Sequence, residues 1–225
     1  VVTLLEQEMY TEAGAASLLG VPQPTLHYWL EGKASGTKTY RPVIREHSTG
    51  NKNVTWAEFI EAGLLRQYRR VHNVPMAELR ALITHLQDSY GIPYPLAHAK
   101  PFISGRELLL NAQDDADLHP DFALVATVNG QLVLTPSAEQ FYQRVTWIND
   151  VAAKWRPASA DRSTVVIDPE IRGGRPSVGG ISTAALWEQA EDGAAVPDLV
   201  DLFGLTIRDV RWALSYESEE AARAA

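Results

Sequence analysis

In PQPTLHYWLEGK, residues 22–33, Leu26, Trp29 and Leu30 fall at i, i+3 and i+4, the spacing of one buried helix face. Gln23, Thr25, His27 and Tyr28 are left to face outward. Their amide, hydroxyl, imidazole and phenol groups can hydrogen-bond to base edges and phosphate oxygens. That helix carries little charge of its own, but cations follow directly. KASGTKTYRPVIREHSTGNKN, residues 33–53, holds Lys33, Lys38, Arg41, Arg45, His47 and Lys52 against one acid, Glu46. The chain as a whole carries a formal charge of -8. Its distribution is uneven: residues 31–80 hold nine basic and five acidic residues, whereas residues 101–225 hold ten and nineteen. Only the first of these stretches favours phosphate, so Gln23, Thr25, His27 and Tyr28 with Lys33, Lys38, Arg41, Arg45 and Lys52 form the candidate DNA-binding set.

Other chemistry finds little support. With no cysteine, the chain has no disulfide, thiolate ligand or thiol nucleophile. His27, His47, His72, His85, His98 and His119 show neither HExxH nor HxH spacing. The run Asp114, Asp115, Asp117, His119 has oxygen ligands for a hard cation but lacks the glycine and final glutamate of a calcium loop, and reads as a solvated acidic turn. Gly173, Gly174, Gly179 and Gly180 match no phosphate-binding pattern. We therefore expect no catalytic residue, metal or cofactor. The rival enzyme reading, a hydrolase or metal enzyme, would have to use Asp114 to His119.

The positioning elements are legible in the same pattern. Ala15, Ala16, Leu18 and Leu19 make an apolar stripe in a helix over 12–19, ended by Gly20 as a left-handed cap. Pro22 can open the second helix at its first position, Pro24 is tolerated in the first turn, and Gly32 closes it. Residues 33–53 then read as a hairpin-like wing. Thr55 and Glu58 have capping-box spacing ahead of Phe59, Ile60, Leu64 and Leu65, and a further helix follows with Leu79, Leu82 and Ile83.

GIPYPLAHAKP, from residue 91, suits a linker, which places a boundary near residue 95. Beyond it, PFISGRELLL and FALVATVNGQLVLT read as strands, with turns at Gly105 and Asn129-Gly130, and 137–152 reads as helix. STVVIDPEIRGGRPSVGG reads as a strand and a shaped loop before a helical end. A shift of 184 residues lays Leu199, Val200, Gly204, Leu205, Val210 and Leu214 on Ala15, Ala16, Gly20, Val21, Leu26 and Leu30. Helix, glycine turn and helix thus recur, now in an acidic setting where packing or dimerisation is the expected role. No run reaches the roughly 18 apolar residues of a membrane span, and VVTLLEQEMYTEAG lacks the features of a signal peptide, so a cytoplasmic location is expected.

YTEAGAASLLGVPQPTLHYWL, the basic segment, VTWAEFIEAGLLRQYRR and HNVPMAELRALITHL together resemble the winged helix-turn-helix of MerR-type regulators, over about residues 10–90. TVVIDPEIRGGRPSVGGISTAALWEQAEDGAAVPDLVDLFGLTIRDVRWALSYE is similar to a small bacterial domain family of unknown function, over about residues 160–217. Paired, these modules resemble VapB-type antitoxins of type II toxin-antitoxin systems. The resemblance implies a mainly α protein with a smaller β component (α+β), built from a DNA-binding domain over 1–95 and a dimerisation and partner-binding domain over 96–225. It further implies a homodimer that represses its own promoter and neutralises a PIN-domain ribonuclease toxin. The alternative is a MerR-like transcription regulator with no toxin partner. Two departures stand out: the folded second half, and an end, ESEEAARAA, without a basic tail.

Overall fold

The computed structural model describes residues 3–35, 37–71, 76–91, 93–103, 106–118, 123–128, 131–157 and 162–224. The chain is mainly helical with small two-stranded sheets, an α+β arrangement, and divides into two compact units, Val1–Ala152 and Ala153–Ala225.

The first unit opens with β1 (Glu8–Thr11), α1 (Glu12–Leu19) and α2 (Gln23–Glu31). Next come the hairpin of β2 (Lys33–Ser35) and β3 (Lys38–Tyr40), then β4 (Asn53–Thr55) and α3 (Trp56–Val71). Strand β4 pairs antiparallel with β1, matching Tyr10 to Val54 and Thr11 to Asn53, so the segment between them is closed into a loop. The expected capping box forms at the start of α3: Thr55 N donates to Glu58 Oε2 at 2.9 Å and Glu58 N to Thr55 Oγ1 at 3.3 Å. Leu26, Trp29, Leu30, Trp56, Phe59 and Leu64 are buried to 1% exposure or less, forming the core beneath α2. Full burial of such side chains contributes about 1.5–3 kcal/mol each.

The rest of this unit is α4 (Met76–Tyr90), α5 (Lys100–Ile103), α6 (Arg106–Asp115), β5 (Val125–Val128), β6 (Gln131–Leu134), α7 (Pro136–Arg144) and β7 (Val145–Ile148). Strand β8 (Val151–Trp155) carries the chain into the second unit. Where PFISGRELLL reads as a strand, its described residues, 101–103 and 106–110, are helical. Leu109, Ala112 and Gln113 bury one helical stripe, and the Gln113 amide holds β5 by accepting from Leu124 N at 2.5 Å and Val125 N at 2.8 Å. The β5–β6 pairing agrees with expectation, although Asn129-Gly130 and Gly105 lie outside the described residues. The helix expected over 137–152 ends at Arg144, where Val145, with φ of -93° and ψ of 133°, takes the extended backbone of β7, and Asn149 and Asp150, with φ of 51° and 68°, then make a tight turn into β8. The expected boundary at 95 lies inside the first unit. Trp56 Nε1 donates to the Ala152 carbonyl at 2.6 Å and Ala99 N to the Asp150 carbonyl at 2.9 Å, binding both sides of it together.

The second unit holds β9 (Ser177–Val178), β10 (Ile181–Ser182), α8 (Thr183–Glu191), α9 (Val196–Phe203) and α10 (Ile207–Ala224). Its core is Val165, Val178, Leu186, Leu199, Val210 and Ala213, with Tyr216 at the edge. Among the described residues no helix is long and apolar enough to cross a membrane.

Candidate nucleic-acid interface

The joint between α1 and α2 depends on Gly20, whose φ of 60° and ψ of 42° lie in the left-handed region that other residues enter at a cost of about 1 kcal/mol. The turn lets Val21 N bond to the Ala16 carbonyl at 3.0 Å, which satisfies the helix end. Ala15, Ala16 and Leu19 of α1 are buried, as are Leu26, Trp29 and Leu30 of α2. Pro22 caps α2 from outside, and the helix begins at Gln23. A polar clamp joins the same two helices: His27 Nδ1 lies 3.0 Å from both oxygens of Glu12, which is itself buried. The tautomer whose Nδ1 donates to Glu12 leaves Nε2 for another partner.

On the outer side of α2, Gln23 and His27 are exposed, while Thr25 and Tyr28 are half-buried. Tyr28 is held from outside the pair: Arg80 of α4 donates from Nη2 to its hydroxyl at 3.3 Å and from Nε to the Pro42 carbonyl at 2.8 Å. Helix α2 ends at Gly32, where a Cβ would collide with the Tyr40 carbonyl oxygen. That close approach seats the β2–β3 hairpin beside the helix end. Lys33 and Lys38 on the hairpin are exposed, as are Arg41 and Lys52 in the following segment.

Arg45 is not part of this surface. It is 7% exposed, and its guanidinium is bound from several sides. Nε and Nη2 grip Glu58 at 2.6 and 3.1 Å, while Nη1 pairs with Glu31 and donates to the Thr49 hydroxyl at 3.0 Å. Its remaining hydrogen bonds reach the carbonyls of Asn51, at 2.9 Å, and Asn53, at 2.8 Å. Arg45 is therefore a structural cation that ties the end of α2 and the start of α3 to the loop between them.

Glu31 completes this knot by accepting from Ser48 Oγ at 2.5 Å, Gly50 N at 2.8 Å and Thr49 N at 2.9 Å. Burial opposes its ionisation, but those donors and the Arg45 charge outweigh it and pull its pKa down to about 2. Sequence reasoning missed Glu12, Glu31 and Arg80, the residues that position this surface. Ser-Thr-Gly at 48–50, three donors in a turn, was the available hint for a carboxylate partner.

The comparisons with known proteins agree on the extent of the fold. No family model matches the chain. It is 28% identical over 229 residues to uncharacterized protein Rv2308 of Mycobacterium tuberculosis, covering 96% of this chain and 92% of that protein. It is similar in structure to Rv2018 from Mycobacterium tuberculosis, solved by X-ray crystallography. That match has a TM-score of 0.73 at 27% identity, covering 92% of this chain and 98% of the other. Both likenesses therefore extend over the two units and are not confined to the α1–α2 hairpin.

The second unit repeats the joint with a different surface. Gly204, φ 64° and ψ 30°, links α9 to α10, and Leu205 N bonds to the Val200 carbonyl at 3.2 Å, the counterpart of Val21 to Ala16. Its outer side, however, presents Leu202, 65% exposed, and Ile207, 50% exposed, with Asp198 and Asp201 nearby in sequence. In the first unit, Asp114 and Asp115 end α6, Asp115 lying 3.4 Å from His85 Nε2, and His119 is outside the described residues. Among the described residues no three His, Asp or Glu side chains converge on a point suited to a metal ion.

Proposed function

We propose that the protein is a DNA-binding antitoxin of the VapB type, with a MerR-like winged helix-turn-helix in its first unit. The observation that carries the reading is the shared exposure of two groups: Gln23 and His27 on α2, and Lys33, Lys38, Arg41 and Lys52 on or beside the hairpin that Gly32 seats against it. In this reading α2 enters the major groove, His27 offers Nε2, and the hairpin cations contact phosphates and fix the register. The protein acts in the cytoplasm as a homodimer, represses its own promoter and neutralises a PIN-domain ribonuclease. The second unit, with its own helix-glycine-helix, serves dimerisation and toxin contact.

Gel-shift or anisotropy titration with DNA from upstream of its own reading frame tests the first half, with nanomolar binding that weakens steeply with salt expected. Co-expression with a PIN-domain ribonuclease encoded beside it tests the second, with growth restored. Unrelieved toxicity would overturn the antitoxin assignment and leave the DNA reading standing.

One observation favours the alternative, a ligand-responsive regulator without a toxin. A cavity of about 770 Å³ lies beside the Arg45–Glu58 pair, with Arg41, Arg80, Gln87 and Tyr94 among its lining residues. A small molecule there would touch the groups that hold the hairpin segment. DNA affinity that changes with cell metabolites, in the absence of any neighbouring ribonuclease gene, would favour that reading.

A further inference from the structure

Helix α10 is 18 residues long and buries Val210, Ala213 and Tyr216 against its unit. At 100° per residue, the stripe directly opposite that face is centred on Ser215 and contains Arg208, Arg211, Ser218, Glu219 and Ala222. An ordinary solvated stripe would be charged and convex. This one begins in a shallow, open depression beside Ile207, Arg208, Arg211, Trp212 and Ser215, where Ile207 is half exposed and Arg208 donates to the Arg162 carbonyl at 2.6 Å.

The charges along the stripe are arranged in sequence order, with Arg208 and Arg211 before Ser215 and Glu219 after it. Such an order is self-complementary when the helix meets a copy of itself running the other way. We propose that this face is a self-association surface, on which α10 of a second copy lies antiparallel about a two-fold axis at Ser215. Residue numbers facing one another then sum to 430. Arg211 meets Glu219 of the second copy, Trp212 meets Ser218, and Arg208 meets Ala222.

Small residues at 215, 218 and 222 let the backbones approach, and antiparallel helix dipoles oppose each other favourably. Within its own chain Glu219 lies 3.6 Å from Arg223, at 62% side-chain exposure, so it keeps lone pairs for a second cation. This assignment deepens the homodimer of the proposed function by giving it a surface, and it does not depend on the DNA reading.

Analytical ultracentrifugation of the full chain, with covalent trapping, provides the test. Since the chain has no cysteine, Ser215→Cys introduces a single thiol, and a short bis-maleimide should convert it to a covalent dimer in high yield. Arg211→Glu alone and Glu219→Arg alone each place two like-charge contacts in the interface and should weaken self-association at least tenfold. The double variant R211E/E219R should restore both dimerisation and trapping. All these positions are exposed, and unchanged circular dichroism of the variants confirms the fold. A monomeric wild-type chain overturns both the dimer and its surface. A dimer that ignores both single reversals, or that traps poorly through Ser215→Cys, overturns this surface while leaving the dimer intact.

Discussion

The hairpins α1–α2 and α9–α10 share a left-handed glycine, the same backbone bond across the turn and buried apolar residues at matched positions, yet they present opposite surfaces. Around α2 lie exposed amide, imidazole and ammonium groups, with a basic hairpin seated by Gly32. Around α9 and the start of α10 lie Leu202 and Ile207 with aspartates close in sequence. The backbone motif is thus a packing solution, and it carries no function until its outer residues and its neighbours are specified.

The first unit also commits charge to structure, through Arg45, Glu31 and Glu58, and this gives the largest expected effect. Arg45→Ala leaves two buried carboxylates without their cation and should destabilise the first unit by about 3–5 kcal/mol in urea denaturation, whereas Arg41→Ala, at an exposed position of the same unit, should shift it by under about 0.5 kcal/mol. Similar losses for the two variants would abolish the distinction between a structural and a surface arginine.

A second contrast lies within the first unit, where two carboxylates respond to pH with opposite sign. Glu61, fully buried and accepting from Leu96 N at 3.0 Å, is pushed up by burial from 4.5 to about 8. The folded chain then holds a proton that the unfolded chain releases, so stability falls as pH rises from 4.5 to 8 and levels off above. Glu31, held at about 2, acts in the other direction: its contribution is complete above 4.5 and disappears as pH falls towards 2. Glu61→Gln should flatten the alkaline slope and raise stability at pH 8 by about 1–3 kcal/mol, while Glu31→Gln should flatten the acid limb. Denaturant midpoints between pH 3 and 9 check both, and a slope unchanged in Glu61→Gln would show that this group does not set the alkaline limb.

The smallest effect separates the two glycines. Ala at either position costs about 1 kcal/mol for the left-handed backbone. At Gly20 the new Cβ also sits 3.3 Å from the Arg66 guanidinium, whereas at Gly204 nothing lies within 4 Å. Gly20→Ala should therefore be the more destabilising of the pair by thermal denaturation, and the reverse order would mean that the joints differ in backbone as well as in surface.

Short-range pattern made α1, α2, their glycine turn and the Thr55–Glu58 box legible, because each involves residues within one or two helical turns. Arg45 was misread for a physical reason: a count of charges cannot distinguish a cation facing solvent from one enclosed by Glu31 and Glu58, 14 and 13 residues away. The division at 152 was hidden for a related reason, since the Trp56–Ala152 bond spans 96 residues. RELLL, within PFISGRELLL, went wrong locally. Its leucine run fits either period, and the buried stripe of Leu109, Ala112 and Gln113 that decides for helix exists only once β5 is in place.

The central claim is that the first hairpin reads DNA through exposed cations that exclude Arg45. It is tested most directly by the salt dependence of binding to the upstream DNA, for the wild-type chain and for the variant with Lys33, Lys38, Arg41 and Lys52 all changed to Ala. The variant is predicted to bind more weakly, with a log-log salt slope shallower by about 3–4, near 0.9 for each phosphate no longer neutralised. An affinity and slope equal to those of the wild type, in a folded variant, would contradict it.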